Sequence, residues 1–504
     1  MSERRDLATG KIPAKLLSFA LPIFLANALQ SLYNIVDMLV VGRMVGEVGL
    51  AAISNASMVC FLINAVCMGI AMGGSVLIAQ YKGAGKGRAQ AQVIGMLLLL
   101  ALAISALITA IGLAFSPMLF RALQVPPEAY RDACDYMRVI CWGTVFVFGY
   151  NVLGSIWKGL GDSRTPLCFV GIAALINVGL DILLVGPLEM GTVGAAYATV
   201  AAQGLSFAAG AVFLRCRRHR KERVAIEFTL RLDKLAEILR IGVPAAMQML
   251  VVNAAYLLVT GMLNQFGASV AAASGVGLKI NTFAGMHCWA IGQAVSTMVG
   301  QAIGAGKIRR VRRIVKTGLW INLCATLMVV SFVQLFARDL IRIFGEDNPV
   351  VLRDGEMYLR ICCGVNSLIY AAMYTFDSFA IGAGAANVAL GDALLDAMVV
   401  RLPVGWILAF AIGIGFPGIY WGQALSPILP AIVGAWYFKS GTWKEKMCLR
   451  EERREKMKDK DSARSKKRRL TENPNFYRLQ LPGTSADFME HSRILLARGN
   501  IVSR

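Results

Sequence analysis

Two aspartates lie inside long apolar stretches of the sequence, where ionisable side chains are rare and usually functional. Asp37 follows Asn34 by three residues and Asp181 follows Asn177 by four, so each pair can share one face of a helix. A buried carboxyl group beside carboxamides can bind a proton or Na⁺, because burial favours the protonated acid and amides hydrogen-bond to either state. We predict a cation-coupling site at these four residues. The alternatives for both aspartates are a structural hydrogen bond between helices and a side chain that extends to the membrane surface.

The second half of the sequence contains further charges at membrane depth. Asp377 lies in an apolar run, and Asp392 and Asp396 are four residues apart, with Arg401 following. The spacing of Asp396 and Arg401 favours a structural salt bridge as much as a coupling role.

Polar residues in other apolar runs are candidates for lining a substrate cavity. The candidates are Asp377, Tyr33, Asn151, Gln265 and Lys279. Lys279 would act there as the counter-ion of an acid. The 22 methionines would supply an adaptable apolar surface.

Cofactor chemistry has little support in the sequence. The 11 cysteines are scattered without a CxxC pair and only 3 histidines occur, so we expect no zinc or redox site. Two G-A-G-K segments, ending at Lys86 and Lys307, lack the spacing of a phosphate-binding loop and are interpreted as helix-ending turns. A His-rich or paired-acid cluster of an embedded enzyme is not expected. We predict a protein that is not an enzyme, needs no cofactor and uses an H⁺ or Na⁺ gradient.

The composition is that of a membrane protein with basic loops. The chain has 504 residues, of which 56% are apolar and 16% are charged, against about 45–50% and about 25% in soluble domains. A disordered chain and an ordinary soluble enzyme are thereby excluded. The net charge of +21 would otherwise suggest a nucleic-acid partner.

Twelve stretches are long and apolar enough to cross a bilayer as helices. We therefore predict an all-α polytopic membrane protein with the lipid bilayer as its surroundings. The predicted spans are 15–42, 49–80, 90–116, 132–158, 166–186, 192–214, 238–264, 270–302, 312–336, 355–382, 389–413 and 417–438.

The loop charges predict the orientation. Loops after the even-numbered spans carry 19 Lys and Arg, and the opposite loops carry 6. The positive-inside rule then places both termini in the cytoplasm and the chain in the plasma membrane. The predicted domains are a cytoplasmic N-terminus at 1–14, an N-lobe at 15–214, a linker at 215–237, a C-lobe at 238–438 and a tail at 439–504.

The tail differs from the rest of the chain. Residues 439–504 hold 18 Lys and Arg against 9 Asp and Glu. We expect a largely disordered cytoplasmic segment that touches anionic lipid, in preference to one that binds nucleic acid.

The two halves of the sequence resemble each other. Gln80 and Gln301 each begin a Q-x-x-G-A-G-K segment after the second span of a half, and Pro22 matches Pro244 at nearly the same spacing. This pattern indicates duplication of a six-helix unit. Parallel repeats of this kind are an architecture of secondary transporters, with the binding cavity between the two lobes.

Several motifs in order resemble the bacterial MATE (multidrug and toxic compound extrusion) transporters of the DinF-like branch. The matching segments cover about residues 12–438 and include 33–37, 41–43, 75–81, 161–163, 177–181, 299–307 and 401–403. The resemblance implies two six-helix lobes around a central cavity. It also implies export of organic cations or amphipathic compounds by a monomer, in exchange for H⁺ or Na⁺.

The same resemblance places the first-lobe cation site at Asp37, Asn177 and Asp181. The seventh span lacks the acid of some sodium-coupled relatives, and Asn281 stands near Lys279 where relatives often have Asp. These departures favour proton coupling through the first lobe. The alternative within the superfamily is a flippase of lipids or lipid-linked oligosaccharides, although its strongly cationic cavity is not expected here.

Overall fold

The computed structural model describes residues 6–217, 226–343 and 348–444, and every regular element within these ranges is helical. The first half begins with a short N-terminal arm, residues 6–11. Its six helices are α1 (Ile12–Met44), α2 (Glu47–Gly83), α3 (Gly87–Ala122), α4 (Pro127–Gly159), α5 (Arg164–Val185) and α6 (Gly191–Arg217).

The second half is more interrupted. It comprises α7 (Leu232–Asn264), α8 (Ala268–Gly304), α9 (Ile308–Leu335), α10 (Ala337–Ile343), α11 (Pro349–Tyr358), α12 (Asn366–Gly382), α13 (Ala386–Leu394), α14 (Leu402–Trp406), α15 (Phe416–Leu425) and α16 (Ile428–Ser440). Single π-helical segments at Leu359–Cys363, Leu395–Arg401 and Ile407–Ala411 extend α11, α13 and α14.

Each predicted span falls on one helix or on a run of short helices, which confirms the polytopic all-α fold. Nine helices in the described ranges are long and apolar enough to cross a membrane, or ten if the pair bent by 40° around residues 363–366 counts as one span. The helix α8 has 37 residues but mixes many small and polar residues with apolar ones. The final predicted span is divided between α15 and α16.

The predicted domain boundaries stay predictions. Residues 218–225 of the proposed linker and most of the proposed tail, 445–504, lie outside the described residues. Pro22 and Pro244 lie within α1 and α7, and both helices continue past them.

The two halves contact each other at the end that carries the basic loops. The amide of Gln80 at the end of α2 donates to the backbone oxygen of Gly382 at 3.0 Å. In the matching position, Gln301 at the end of α8 donates to the oxygen of Gly159 at 3.3 Å. We call these two hydrogen bonds the glutamine contacts. They are reciprocal, because the glutamine of each half meets a helix-ending glycine of the other half.

Glycines allow the close approach at this end. A Cβ atom on Gly83 would collide with the backbone oxygen of Gln301, and one on Gly304 would collide with the backbone oxygen of Gln80. Both G-A-G-K segments end their helices as predicted, with positive φ at Gly85 (66°) and Gly306 (69°).

The N-terminal arm lies against the second half at the same end. The N–H of Leu7 donates to the side-chain oxygen of Gln301 at 3.0 Å, and Lys307 donates to the oxygen of Ala8 at 3.0 Å. Arg310 donates to three further backbone oxygens of the arm, those of Leu7, Thr9 and Gly10. The arm therefore connects the start of α1 to the far half of the molecule.

Candidate functional site

Two carboxyl groups of the first half lie together, one fully buried and the other half-buried. Asp37 on α1 and Asp181 on α5 are within hydrogen-bonding range of each other, and Asp181 is fully buried. Three oxygens of the pair have no hydrogen-bond donor within the described residues. They are both carboxyl oxygens of Asp181 and Oδ1 of Asp37. Two carboxylates this close repel each other when both are charged, so a shared proton or a bound cation stabilises the pair.

Aromatic and amide groups surround this pair. Asn177 is buried one turn before Asp181 and donates to the Thr199 hydroxyl at 3.4 Å, while its own oxygen has no partner in the described residues. Tyr33 lies one turn before Asp37, within hydrogen-bonding range of Gln203 on α6. The helices α1, α5 and α6 thus enclose the carboxyl groups among neutral side chains.

A second acid pair lies in the second half. Asp377 on α12 and Asp392 on α13 are within hydrogen-bonding range of each other, with 2% and 1% of their surfaces exposed. Gln248 on α7 donates to Asp377 at 3.3 Å. The expectation that no paired-acid cluster occurs at membrane depth is therefore wrong. The sequence marks both residues as unusual, but only the packing of α12 on α13 brings them together.

The predicted salt bridge of Arg401 forms. Its guanidinium lies 2.7 Å from the carboxylate of Asp396, and both side chains are 3% exposed. The ring of Tyr256 on α7 covers the guanidinium with its centroid 4.5 Å away, in a cation–π contact. The pair thus joins the π-helical segment after α13 to α7.

Replacing Arg401 with methionine should destabilise the protein by about 3–5 kcal/mol, because the change leaves Asp396 charged and unpaired in the interior. Adding Asp396→Asn should restore most of the loss. Chemical or thermal unfolding of the detergent-solubilised protein measures both effects.

Arg360→Met is the matched control. Arg360 forms an equally short ion pair with Glu356, at 2.6 Å, but its side chain is 64% exposed. An exposed pair of this kind contributes less than about 1 kcal/mol. Equal losses in the two single variants would contradict a special role for the buried pair.

The other predicted site residues are more dispersed. Asn34 and Lys279 have exposed side chains, and Gln265 is exposed at the C-terminal end of α7. Asn151 donates its amide to the backbone oxygen of Val147 in its own helix at 2.9 Å. The described contacts gather Asp37, Asn177, Asp181 and Tyr33 in one place and leave these four outside it.

Sequence comparison relates the chain to a known family. The family model of MatE matches residues 22–183 and 244–407, one segment in each half. A relative from Bacillus subtilis, the probable multidrug resistance protein YpnP, is 28% identical over 439 residues, covering 87% of this chain and 97% of the relative. The probable multidrug resistance protein NorM of Thermotoga maritima is 26% identical, with coverage of 88% and 96%.

A third relative differs in its named substrate. It is the FAD transporter of Shewanella oneidensis. The two sequences are 25% identical over an aligned region that covers 72% of this chain and 80% of the relative.

Solved structures share the fold. An outward-facing multidrug resistance MATE transporter of the MOP superfamily superposes with a TM-score of 0.82 at 24% identity, covering 88% of this chain and 98% of that one. A MOP superfamily transporter from Pyrococcus furiosus gives 0.81 at 23% identity, again covering 88% and 98%.

Proposed function

The chain belongs to the MatE family of multi-pass membrane transporters, and from this premise we propose that it is a secondary antiporter. It exports organic cations or amphipathic compounds across the plasma membrane in exchange for protons. It needs no cofactor and works as a monomer.

The pair of Asp37 and Asp181 carries this proposal. A proton held between the two carboxyl groups removes their repulsion, whereas its release leaves two charges that favour a different packing of α1 against α5. A proton gradient can drive a cycle only when the two conformations bind the proton with different affinity. The pair supplies that difference because its geometry depends on the relative position of two helices.

Protons suit the site better than Na⁺. The carboxyl groups lie within hydrogen-bonding range of each other, as a shared proton requires. The apolar part of α7, residues 238–264, contains no acid that could complete a sodium site in the other lobe. The pair of Asp377 and Asp392 in the C-lobe is a second candidate for protonation.

The orientation follows from the basic loops, which face the cytoplasm together with both termini. On this orientation the glutamine contacts join the two halves on the cytoplasmic side, which supports a state that is closed to the cytoplasm. Protonation from outside would occur in this state and would promote release of the substrate.

Efflux from proteoliposomes tests the proposal. Purified protein is reconstituted with a panel of fluorescent organic cations, and a pH gradient or a Na⁺ gradient is imposed in turn. FAD is included because one relative is named a FAD transporter. We expect efflux of cations under the pH gradient and none under the Na⁺ gradient alone. Efflux that needs Na⁺ and ignores the pH gradient would reverse the assignment of the ion.

A further inference from the structure

An open cavity lies beside the N-terminal arm, outside the site of the acid pairs. It has a volume of about 430 Å³ and lies between the end of the arm and the first turns of α9. Gly10, whose φ is 70°, turns the chain there so that Lys11 borders the cavity. Arg310, Arg313 and Lys316 border it from α9.

The four cations differ in what they already bind. Arg310 donates to backbone oxygens of the arm and thereby holds one wall of the cavity in place. For Lys11, Arg313 and Lys316, no ion pair or side-chain hydrogen bond occurs within the part of the chain that the structure describes. Three uncommitted cations around one small cavity repel one another, so an anion placed between them would be stabilised.

The neighbouring acid, Asp6, binds donors within the arm and lies near Arg310. Asp6 accepts hydrogen bonds from the N–H of Ala8 and the hydroxyl of Thr9, both at 2.9 Å. Burial alone would raise the pKa of Asp6, but these bonds and the nearby lysines hold it below its usual range. Asp6 therefore stays charged, and its carboxylate oxygens accept hydrogen bonds from donors within the arm.

The cavity opens at the level where lipid headgroups are expected. Lys316 is about two turns into α9, and Trp320 one turn further is 69% exposed. Tryptophan is enriched at the boundary between hydrocarbon and headgroups, and basic pockets on the cytoplasmic side bind anionic headgroups.

We propose that this cavity binds a phosphate group, supplied by the headgroup of an acidic phospholipid. The phosphate would bridge Lys11 on the arm to Arg313 and Lys316 on α9, and so hold the arm against the second half. The lipid source depends on the proposed orientation, but binding itself does not depend on the antiport mechanism.

Native mass spectrometry of the full chain in detergent tests the proposal, with added phosphatidylglycerol, phosphatidylcholine or inorganic phosphate. We expect the wild type to retain phosphatidylglycerol in preference to phosphatidylcholine. Arg313→Gln with Lys316→Gln should weaken retention roughly 30-fold, because each cation near an anionic lipid contributes about 1 kcal/mol.

Arg309→Gln with Arg312→Gln is the matched control, since both residues are exposed in the same turns of α9 and neither lines the cavity. An equal loss in the control pair, or equal retention of the two lipids, would overturn the proposal. Competition by millimolar inorganic phosphate as strong as that by phosphatidylglycerol would support the phosphate site but assign it to a soluble ligand. Transport assays are not involved, so failure here leaves the proposed antiport untouched.

Discussion

Replacing Asp181 with asparagine is expected to reduce efflux driven by a pH gradient to the level of protein-free liposomes. Asparagine keeps the size of the side chain and its capacity for hydrogen bonds, but it cannot release a proton. Asp181 is fully buried beside Asp37, so the charge of one carboxyl group acts directly on the other. Without the second charge, the preference between the two conformations no longer depends on a proton shared by this pair. Efflux of a fluorescent cation after a pH jump measures the effect.

Two further variants sharpen this test. Asp37→Asn should have the same effect, and the double variant should be no worse than either single one, because both remove the same shared proton. Asp135→Asn is the control, since Asp135 forms its ion pairs with Arg131 and Arg138 at the surface of α4. Normal efflux by the Asp181→Asn protein, inserted at wild-type levels, would exclude the pair from coupling.

Replacing Gly304 with alanine should disfavour closure of the two halves at the basic-loop end. The new methyl group would collide with the backbone oxygen of Gln80, which cannot rotate away. An overpacking cost of about 1–3 kcal/mol lowers the ratio of closed to open molecules by roughly 5- to 150-fold. Hydrogen exchange should accelerate in the turns at residues 80–87 and 301–308, and efflux should fall accordingly.

Gly87→Ala is the matched control for this change. Gly87 begins α3 near the same end of the molecule, and a Cβ there meets no atom within 4 Å. Exchange and efflux should stay at wild-type values. Unchanged exchange in the Gly304→Ala protein would mean that the described contact is not part of the transport cycle.

The sequence predicts the helices well because their signal is local. A run of apolar residues predicts a membrane span wherever the run itself is long enough to cross a bilayer, as it is for α1 to α7. The aspartates of the first half are also readable, because a carboxyl group inside an apolar run is conspicuous by itself. Interruptions such as the π-helical segment Leu395–Arg401 leave no comparable pattern.

Contacts between distant residues are what the sequence does not reveal. Asp377 and Asp392 are separated by a turn and belong to different helices, so no helical spacing joins them. The same holds for Gln80 and Gly382, which lie in different halves. The prediction that the repeated motif forms a helix-ending turn is confirmed, but the first residue of the motif contacts the other half.

The reciprocity of the glutamine contacts bears on how the two halves can evolve. Two identical six-helix units related by symmetry would make both contacts with one sequence, so any substitution would change both at once. A fused chain can change each separately. In this chain the side chain of Gln301 accepts a hydrogen bond from the N–H of Leu7 in the N-terminal arm and donates one to Gly159, so this contact also holds the arm. Because both halves lie in one chain, each of the two glutamine contacts can be selected independently of the other.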